Sequence, residues 1–216
     1  MASVPDARHA ARAAGVPAVF LDKDGTLVDD IPFNVDPARI RLADGAGEAL
    51  RLLHRAGYRL IVVSNQSGVA RGYFPERALL GETRLRELLA NAGVPLDGFY
   101  YCPHHPDGLV ARYAVACACR KPAPAMLLRA ARELGIDLGA SWMIGDILDD
   151  IEAGRAAGCG TLLLDNGNET EWQFTPRRLP HYRAHGLIEA AELILGASHM
   201  ERLVGRSTPG HPERYL

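Results

Sequence analysis

The chain is short of lysine, aromatic residues, cysteine and net charge, and each shortage narrows what it can be. Lysine occurs only at positions 23 and 121, against 22 arginines, and aromatic residues make up 6% of 216 residues. Basic and acidic residues nearly cancel, 24 against 26, leaving a formal charge of −2. With no basic excess to displace counterions, a nucleic-acid binder held by bulk charge is excluded. No run approaches the roughly 18–20 apolar residues of a membrane-spanning helix, so no membrane partner is expected. Four cysteines are too few and too clustered for a secreted disulfide framework. The N-terminal stretch Met1–Gly15 lacks the apolar core of a signal peptide, so a reducing cytoplasm is the expected compartment. Against these absences, 48% hydrophobic residues rule out wholesale disorder.

The length suits one domain of about 100–200 residues. A loose Ala/Arg-rich leader is expected over 1–16, a globular domain over 17–196, and a loose tail over 197–216, where Gly205, Pro209, Gly210 and Pro212 show no periodicity. Within the domain, short apolar runs alternate with helical patterns. Strands are expected at Ala18–Leu21, Leu60–Val63, Phe99–Tyr101, Trp142–Ile144 and Thr161–Leu164. Helices are expected around Ala46–Ala56, Glu76–Ala92, Met126–Leu134, Asp149–Ala157 and Leu187–Leu195, with Gly57, Gly93 and Gly135 as stops. Apolar strands separated by helices indicate crossover units, hence an α/β fold with a Rossmann-like parallel sheet covered on both faces. Ligands bind such sheets beyond the carboxyl ends of the strands.

Chemistry gathers at those ends. The first strand runs into Asp22-Lys23-Asp24-Gly25-Thr26, the second into Ser64-Asn65-Gln66-Ser67-Gly68, and the fourth into Gly145-Asp146, with Asp149 and Asp150 just beyond. Arg120-Lys121-Pro122 lies between the third and fourth strands. A single Asp after a strand is most often a turn residue or helix cap. The Asp-x-Asp-Gly start lacks the remaining ligand positions of an EF-hand. The ordered conjunction of all four segments points instead to phosphoryl transfer through an acyl-phosphate. That reaction needs a carboxylate nucleophile, a second carboxyl for proton transfer, a hydroxyl and a lysine on the phosphoryl oxygens, and Mg²⁺ to screen the charges. Both lysines of the chain fall inside these motifs, where an ammonium is not replaceable by a guanidinium; an Arg-favouring composition is the plainer account of their rarity.

These four segments resemble the motifs of the haloacid dehalogenase superfamily over about residues 17–166. The resemblance implies that fold with a minimal cap, Asp22 as nucleophile and Asp24 as general acid/base. It implies Ser64 and Lys121 on the phosphate, and Mg²⁺ held by Asp22, Asp146 and the backbone carbonyl of Asp24.

The cysteines refine the picture. Cys102-Pro103-His104-His105 and Cys117-Ala118-Cys119 offer three sulfurs and an imidazole, a donor set suited to a closed structural Zn²⁺ site. Free thiols or a reversible disulfide are the alternatives, and either His104 or His105 could complete the set. Cys159, in an apolar context, reads as core filling. Zinc would order the loop 102–119 and position Arg120 and Lys121, which follow directly. The Cys-Pro-His-His-Pro and Cys-x-Cys-Arg-Lys-Pro segments, with Ser64–Gly72 and Gly98–Cys102, resemble the heptose bisphosphate phosphatases. The histidinol-phosphate phosphatases are relatives with a shorter zinc loop. That likeness implies a small phosphorylated sugar as substrate, removal of its C7 phosphate, and substrate contacts from Asn65, Arg120 and Lys121. The sequence departs from the family at Ile147, where a lysine is usual, and over Leu27–Pro37, which should flank the sugar. A monomer is expected. The competing reading, a non-catalytic zinc-loop interaction module, is opposed by the loop itself, whose only basic residue besides histidine is Arg112.

Overall fold

The computed structural model describes residues 15–79 and 81–204. Most of the expected leader (1–14) and the end of the expected tail (205–216) lie outside the described residues.

Six strands form one parallel sheet in the order β3-β2-β1-β4-β5-β6: β1 (Ala18–Leu21), β2 (Arg59–Asn65), β3 (Gly98–Cys102), β4 (Trp142–Gly145), β5 (Gly160–Leu164) and β6 (Tyr182–Ala184). Five helices connect or follow them: α1 (Ala46–Arg55), α2 (Gly81–Asn91), α3 (Ala125–Leu134), α4 (Leu148–Ala157) and α5 (Leu187–Val204). The apolar runs of the central strands feed two cores because successive side chains point to opposite faces. Val19, Leu21, Leu60, Val62, Ile144 and Leu162 join one cluster with α1, α2 and α5 residues such as Leu50, Leu89 and Ile194. Ala18, Phe20, Ile61, Val63 and Met143 join the other with Met126, Leu127 and Ala130 of α3 and Ala153 of α4. Burial on both faces explains why these strands read as unbroken apolar runs. Gly135 ends α3 in a left-handed conformation at φ 66, which glycine adopts without a Cβ clash.

Strand order runs outward from β1 in both directions, so the crevice for a ligand opens where Asp22 leaves β1 between β2 and β4. Among the described residues, no helix is long and apolar enough to cross a membrane.

Four local expectations are corrected. The helix expected from Glu76 begins at Gly81, after a separate 3-10 turn over Glu76–Ala78. Glu76 there accepts hydrogen bonds from the hydroxyls of Tyr101 and Tyr113, tying the turn to the cysteine loop. The strand β6 was not expected, because only Ala184 of its three residues is buried. The last helix continues to Val204 instead of loosening near Ser198. The Ser198 hydroxyl bonds the Ile194 carbonyl at 2.9 Å and meets Tyr58, so the helix carries on against α1. Val16, the end of the expected loose leader, is also held, since its N–H donates to the Gly135 carbonyl at 3.0 Å and its carbonyl accepts from Asp137.

Candidate active site

Asp22 is the first residue past β1, and its N–H still bonds the Ile144 carbonyl of β4 at 3.0 Å. The sheet itself therefore fixes where the carboxyl points. It meets the ammonium of Lys121, which also donates to the Val63 carbonyl at 2.9 Å and lies 2.6 Å from an Asp150 oxygen. Lys121 is 1% exposed and Asp150 fully buried. Asp146 follows β4. One of its oxygens accepts from the Thr26 hydroxyl at 3.1 Å and the other from the Asn168 amide at 2.8 Å. Gly25, at φ 82, passes so close that a Cβ there would lie 2.2 Å from Asp146 Oδ2. The glycine is required by both its conformation and its lack of a side chain.

Asp22, Asp146 and Asp150 each bring one oxygen within 4.8 Å of the others. Burial pushes the Asp22 carboxyl up to about 7 against the pull of Lys121, with Asp150 and Asp24 adding repulsion. Burial likewise lifts Asp146 to about 6, with repulsion from Asp22 behind it. Asp150 rises to about 6, burial outweighing the attraction of Lys121. For Lys121 burial works against the charge, but Asp150 and Asp22 outweigh it and hold the ammonium protonated. Three buried carboxylates facing one ammonium are short of positive charge, and their hard oxygens suit Mg²⁺. The donors fit that ion.

Asp24, two residues from Asp22, turns away from this cluster. Its carboxylate accepts from the Gln66 amide at 3.1 Å and pairs with Lys23. The same Gln66 nitrogen contacts Ser64 Oγ at 2.7 Å, so Gln66 links the two expected site residues. Asn65 meets the backbone of Lys121. Its amide donates to the Lys121 carbonyl at 3.1 Å and accepts from the Lys121 N–H at 3.0 Å, so both polar atoms clamp the lysine backbone. Arg120 is half-buried and its Nη1, though buried, has no partner within the protein. A cleft of about 210 Å³ opens beside Asp24, lined by Asp30–Asn34, Asn65–Gly68 and Phe74. The segment following the first motif thus flanks the cleft. Phe33 there has φ 54 and packs edge-on to Tyr73 with ring centroids 4.6 Å apart.

Behind β3 the four expected zinc donors converge. Cys102, Cys117 and Cys119 have sulfurs 3.0–3.5 Å apart. His104 Nδ1 lies 3.6 Å from Cys102 and 3.4 Å from Cys119. All the thiols are free, and these separations far exceed the roughly 2.05 Å of a disulfide. The set is the soft tetrahedral type that zinc takes. His105 is directed elsewhere: its Nε2 meets Arg71 at 3.2 Å and its Nδ1 accepts from the Asp107 N–H. The choice left open between the two histidines falls on His104. Burial alone would raise the Cys117 thiol, but hydrogen bonding from Cys119 and from the Arg120 backbone brings it down to about 7, toward the thiolate a metal needs.

Asp150 and Gln66 stand in the segments noted at the strand ends but carry no assigned role in the sequence reading, and Asn168 lies outside those segments. Asp150 had a usable signal. It lies four residues past Asp146 on the first turn of α4, and faces back to the strand ends.

Sheet order, a carboxylate rim at the carboxyl ends of β1 and β4, and a buried lysine define a hydrolase of the HAD-like class. The HAD-hydrolase-like family model matches residues 118–190. D-glycero-beta-D-manno-heptose-1,7-bisphosphate 7-phosphatase from Photorhabdus laumondii is 50% identical over 151 residues, 69% of this chain and 80% of that protein. The protein of the same name from Yersinia pestis is 48% identical over 150 residues, again 69% and 80%. Among solved structures, the D,D-heptose 1,7-bisphosphate phosphatase from B. bronchiseptica, complexed with magnesium and phosphate, superposes with a TM-score of 0.67. Its identity is 30%, over 84% of this chain and 99% of that one. The chain belongs to the HAD-like phosphatases, in the family of these heptose-bisphosphate phosphatases. It is a phosphatase.

Proposed function

We propose that the chain removes the C7 phosphate of D-glycero-D-manno-heptose 1,7-bisphosphate in a Mg²⁺-dependent reaction. The observation that carries this reading is the buried set Asp22, Lys121, Asp146 and Asp150 at the strand ends, beside a cleft that Asp24 lines. Two relatives near 50% identity are named for that activity.

In this reading an Asp22 carboxylate oxygen attacks phosphorus in line, and the bond from phosphorus to the sugar oxygen breaks. Asp24, poised by Gln66 at the mouth of the cleft, gives its proton to the departing oxygen. The resulting Asp24 carboxylate then takes a proton from water. The water oxygen attacks phosphorus, the acyl-phosphate bond breaks, and Asp22 is regenerated with release of inorganic phosphate. The Lys121 ammonium and the Ser64 hydroxyl bind the phosphoryl oxygens and stabilise the charge that shifts onto them. Asn65 supports this indirectly, by fixing the backbone of Lys121. Arg120 has a buried donor free for an anion, which supports a contact to the substrate. Asp22, Asp146 and Asp150, with the backbone carbonyl of Asp24, would hold Mg²⁺, whose charge lets an anionic carboxylate approach an anionic phosphate. Cys102, His104, Cys117 and Cys119 would hold a structural Zn²⁺, with no position left open for substrate. The protein acts as a cytoplasmic monomer in this account.

The test is phosphate release, with Mg²⁺ present, from the heptose bisphosphate and from histidinol phosphate in parallel. A preference of about a hundredfold in kcat/KM for the bisphosphate, about 2.7 kcal/mol of differential transition-state binding, is expected. Faster turnover of histidinol phosphate would overturn the substrate assignment.

A further inference from the structure

The segment after β5 belongs to none of the motifs recognised in the sequence, yet it bonds to the carboxylate rim at three points. The Asn166 amide donates to the Gly25 carbonyl at 2.7 Å. The Asn168 amide donates to Asp146 Oδ2 at 2.8 Å. The N–H of Leu148, the first residue of α4, donates to Glu169 Oε2 at 2.6 Å. One short stretch therefore touches the turn after β1, the carboxylate after β4 and the start of the helix that carries Asp150. The stretch is also braced internally. The Asn168 N–H bonds Asn166 Oδ1 at 3.3 Å, and the Glu171 N–H bonds Glu169 Oε1 at 2.6 Å. Packing at the junction is close, since a Cβ on Gly25 would lie 2.5 Å from the Asn168 amide nitrogen.

We propose that Asn166, Asn168 and Glu169 form a brace that orients Asp146 and Asp150 to receive a divalent cation, with Asn168 the principal positioning residue. The inference rests on the reading of Asp22, Asp146 and Asp150 as the cation site. Asp146 has one donor on each oxygen, Thr26 on one side and Asn168 on the other, so the plane of its carboxylate is set before any ion arrives. A carboxylate already fixed loses little freedom when it coordinates. Asparagine suits the task because its amide donates without carrying charge. A lysine or arginine in that place would orient Asp146 equally well but would repel the incoming cation. The carboxylate of Glu169 at the start of α4 completes the brace, meeting a backbone donor that the helix leaves unpaired and favouring the positive end of its dipole.

The test is calorimetric titration of Mg²⁺ alone into the full, zinc-loaded chain, comparing the parent with Asn168→Leu and Asn166→Ala. Leucine keeps the branched shape and the heavy-atom count of asparagine and removes its amide donor and acceptor. Partners that orient a ligand carboxylate typically contribute 10- to 100-fold to metal affinity. Asn168→Leu is accordingly expected to weaken Mg²⁺ binding by about that factor, and Asn166→Ala by a few-fold. Zinc content and far-UV circular dichroism should match the parent, and kcat should recover as Mg²⁺ is raised while substrate KM stays constant. Mg²⁺ affinity of Asn168→Leu within about twofold of the parent would overturn the brace. Failure of the parent to bind Mg²⁺ would overturn the cation reading and the brace with it. A parent that binds Mg²⁺ but leaves the heptose bisphosphate intact would overturn the substrate reading alone, and the affinity ratio would still decide the brace.

Discussion

Replacing Asp150 with asparagine should separate two roles that a buried carboxylate can have. Asp150 is fully buried and its oxygen lies 2.6 Å from the Lys121 ammonium. If the pair existed to stabilise the fold, removing one partner would strand a buried charge, at a cost of about 3–5 kcal/mol. The structure argues for less. Lys121 keeps Asp22 and the Val63 carbonyl as partners, and the Asp150 carboxyl is itself pushed up to about 6 by burial and by repulsion from Asp146. Losing one carboxylate from a site that holds three relieves that repulsion. The metal-free Asp150→Asn protein is therefore expected to melt within a few degrees of the parent, or above it. Mg²⁺ tells the opposite story. Loss of one of three anionic donors should weaken its binding at least a hundredfold, about 2.7 kcal/mol at about 1.36 kcal/mol per factor of ten. Thermal melts with and without Mg²⁺ read both quantities in one experiment. A large drop in the metal-free Tm with an unchanged Mg²⁺ shift would refute the reasoning and make Asp150 a structural partner of Lys121.

Three further outcomes are expected. Metal-free protein should lose stability as pH rises from about 4 to about 7. The carboxyls of Asp22, Asp146 and Asp150 titrate at about 7, 6 and 6 when folded, above the usual 3.8, so the folded state holds more protons in that window. Mg²⁺ should flatten the slope in melts across the same pH range, and a slope unaffected by Mg²⁺ would contradict the shared site. Cys119→Ser should release zinc and open the loop 102–119 to proteolysis while far-UV circular dichroism is retained. Its kcat should fall as well, because Lys121 lies two residues on. Asn65→Ala removes two hydrogen bonds from the Lys121 backbone, about 1 kcal/mol each. It should lower kcat roughly tenfold or more while leaving Mg²⁺ affinity unchanged in calorimetry.

The parallel sheet was legible because its central strands are buried on both faces, so that AVFL, LIVV and TLLL stand out as uninterrupted apolar runs. The same logic hid β6, an edge strand with a single buried residue that carries no apolar signal. The final helix reads shorter in the sequence because the apolar periodicity fades after Leu195. What extends it is a tertiary contact with Tyr58, 140 positions away in the chain. In the site, residues at the strand ends were readable as an ordered set of segments, with roles implied by the family resemblance: Asp22, Asp24, Ser64 and Asp146. Residues that act by holding others were not. Gln66 joins Ser64 to Asp24, Asn65 clamps Lys121, and Asn168 orients Asp146, each by a geometry that appears only when distant segments meet. The Cys/His cluster was legible as a set, but that His104 and not His105 joins it needed the direction of each ring.

In the proposed reaction Asp22 carries the phosphoryl group during turnover. The direct measurement is acid quenching of the protein during turnover of isotopically labelled heptose bisphosphate with Mg²⁺, followed by peptide mapping. The account predicts label on the peptide containing Asp22, labile to hydroxylamine as an acyl-phosphate is, and no label in Asp22→Asn, whose zinc content and fold are intact. Release of phosphate at the parental rate by Asp22→Asn, or label located on another residue, would contradict it.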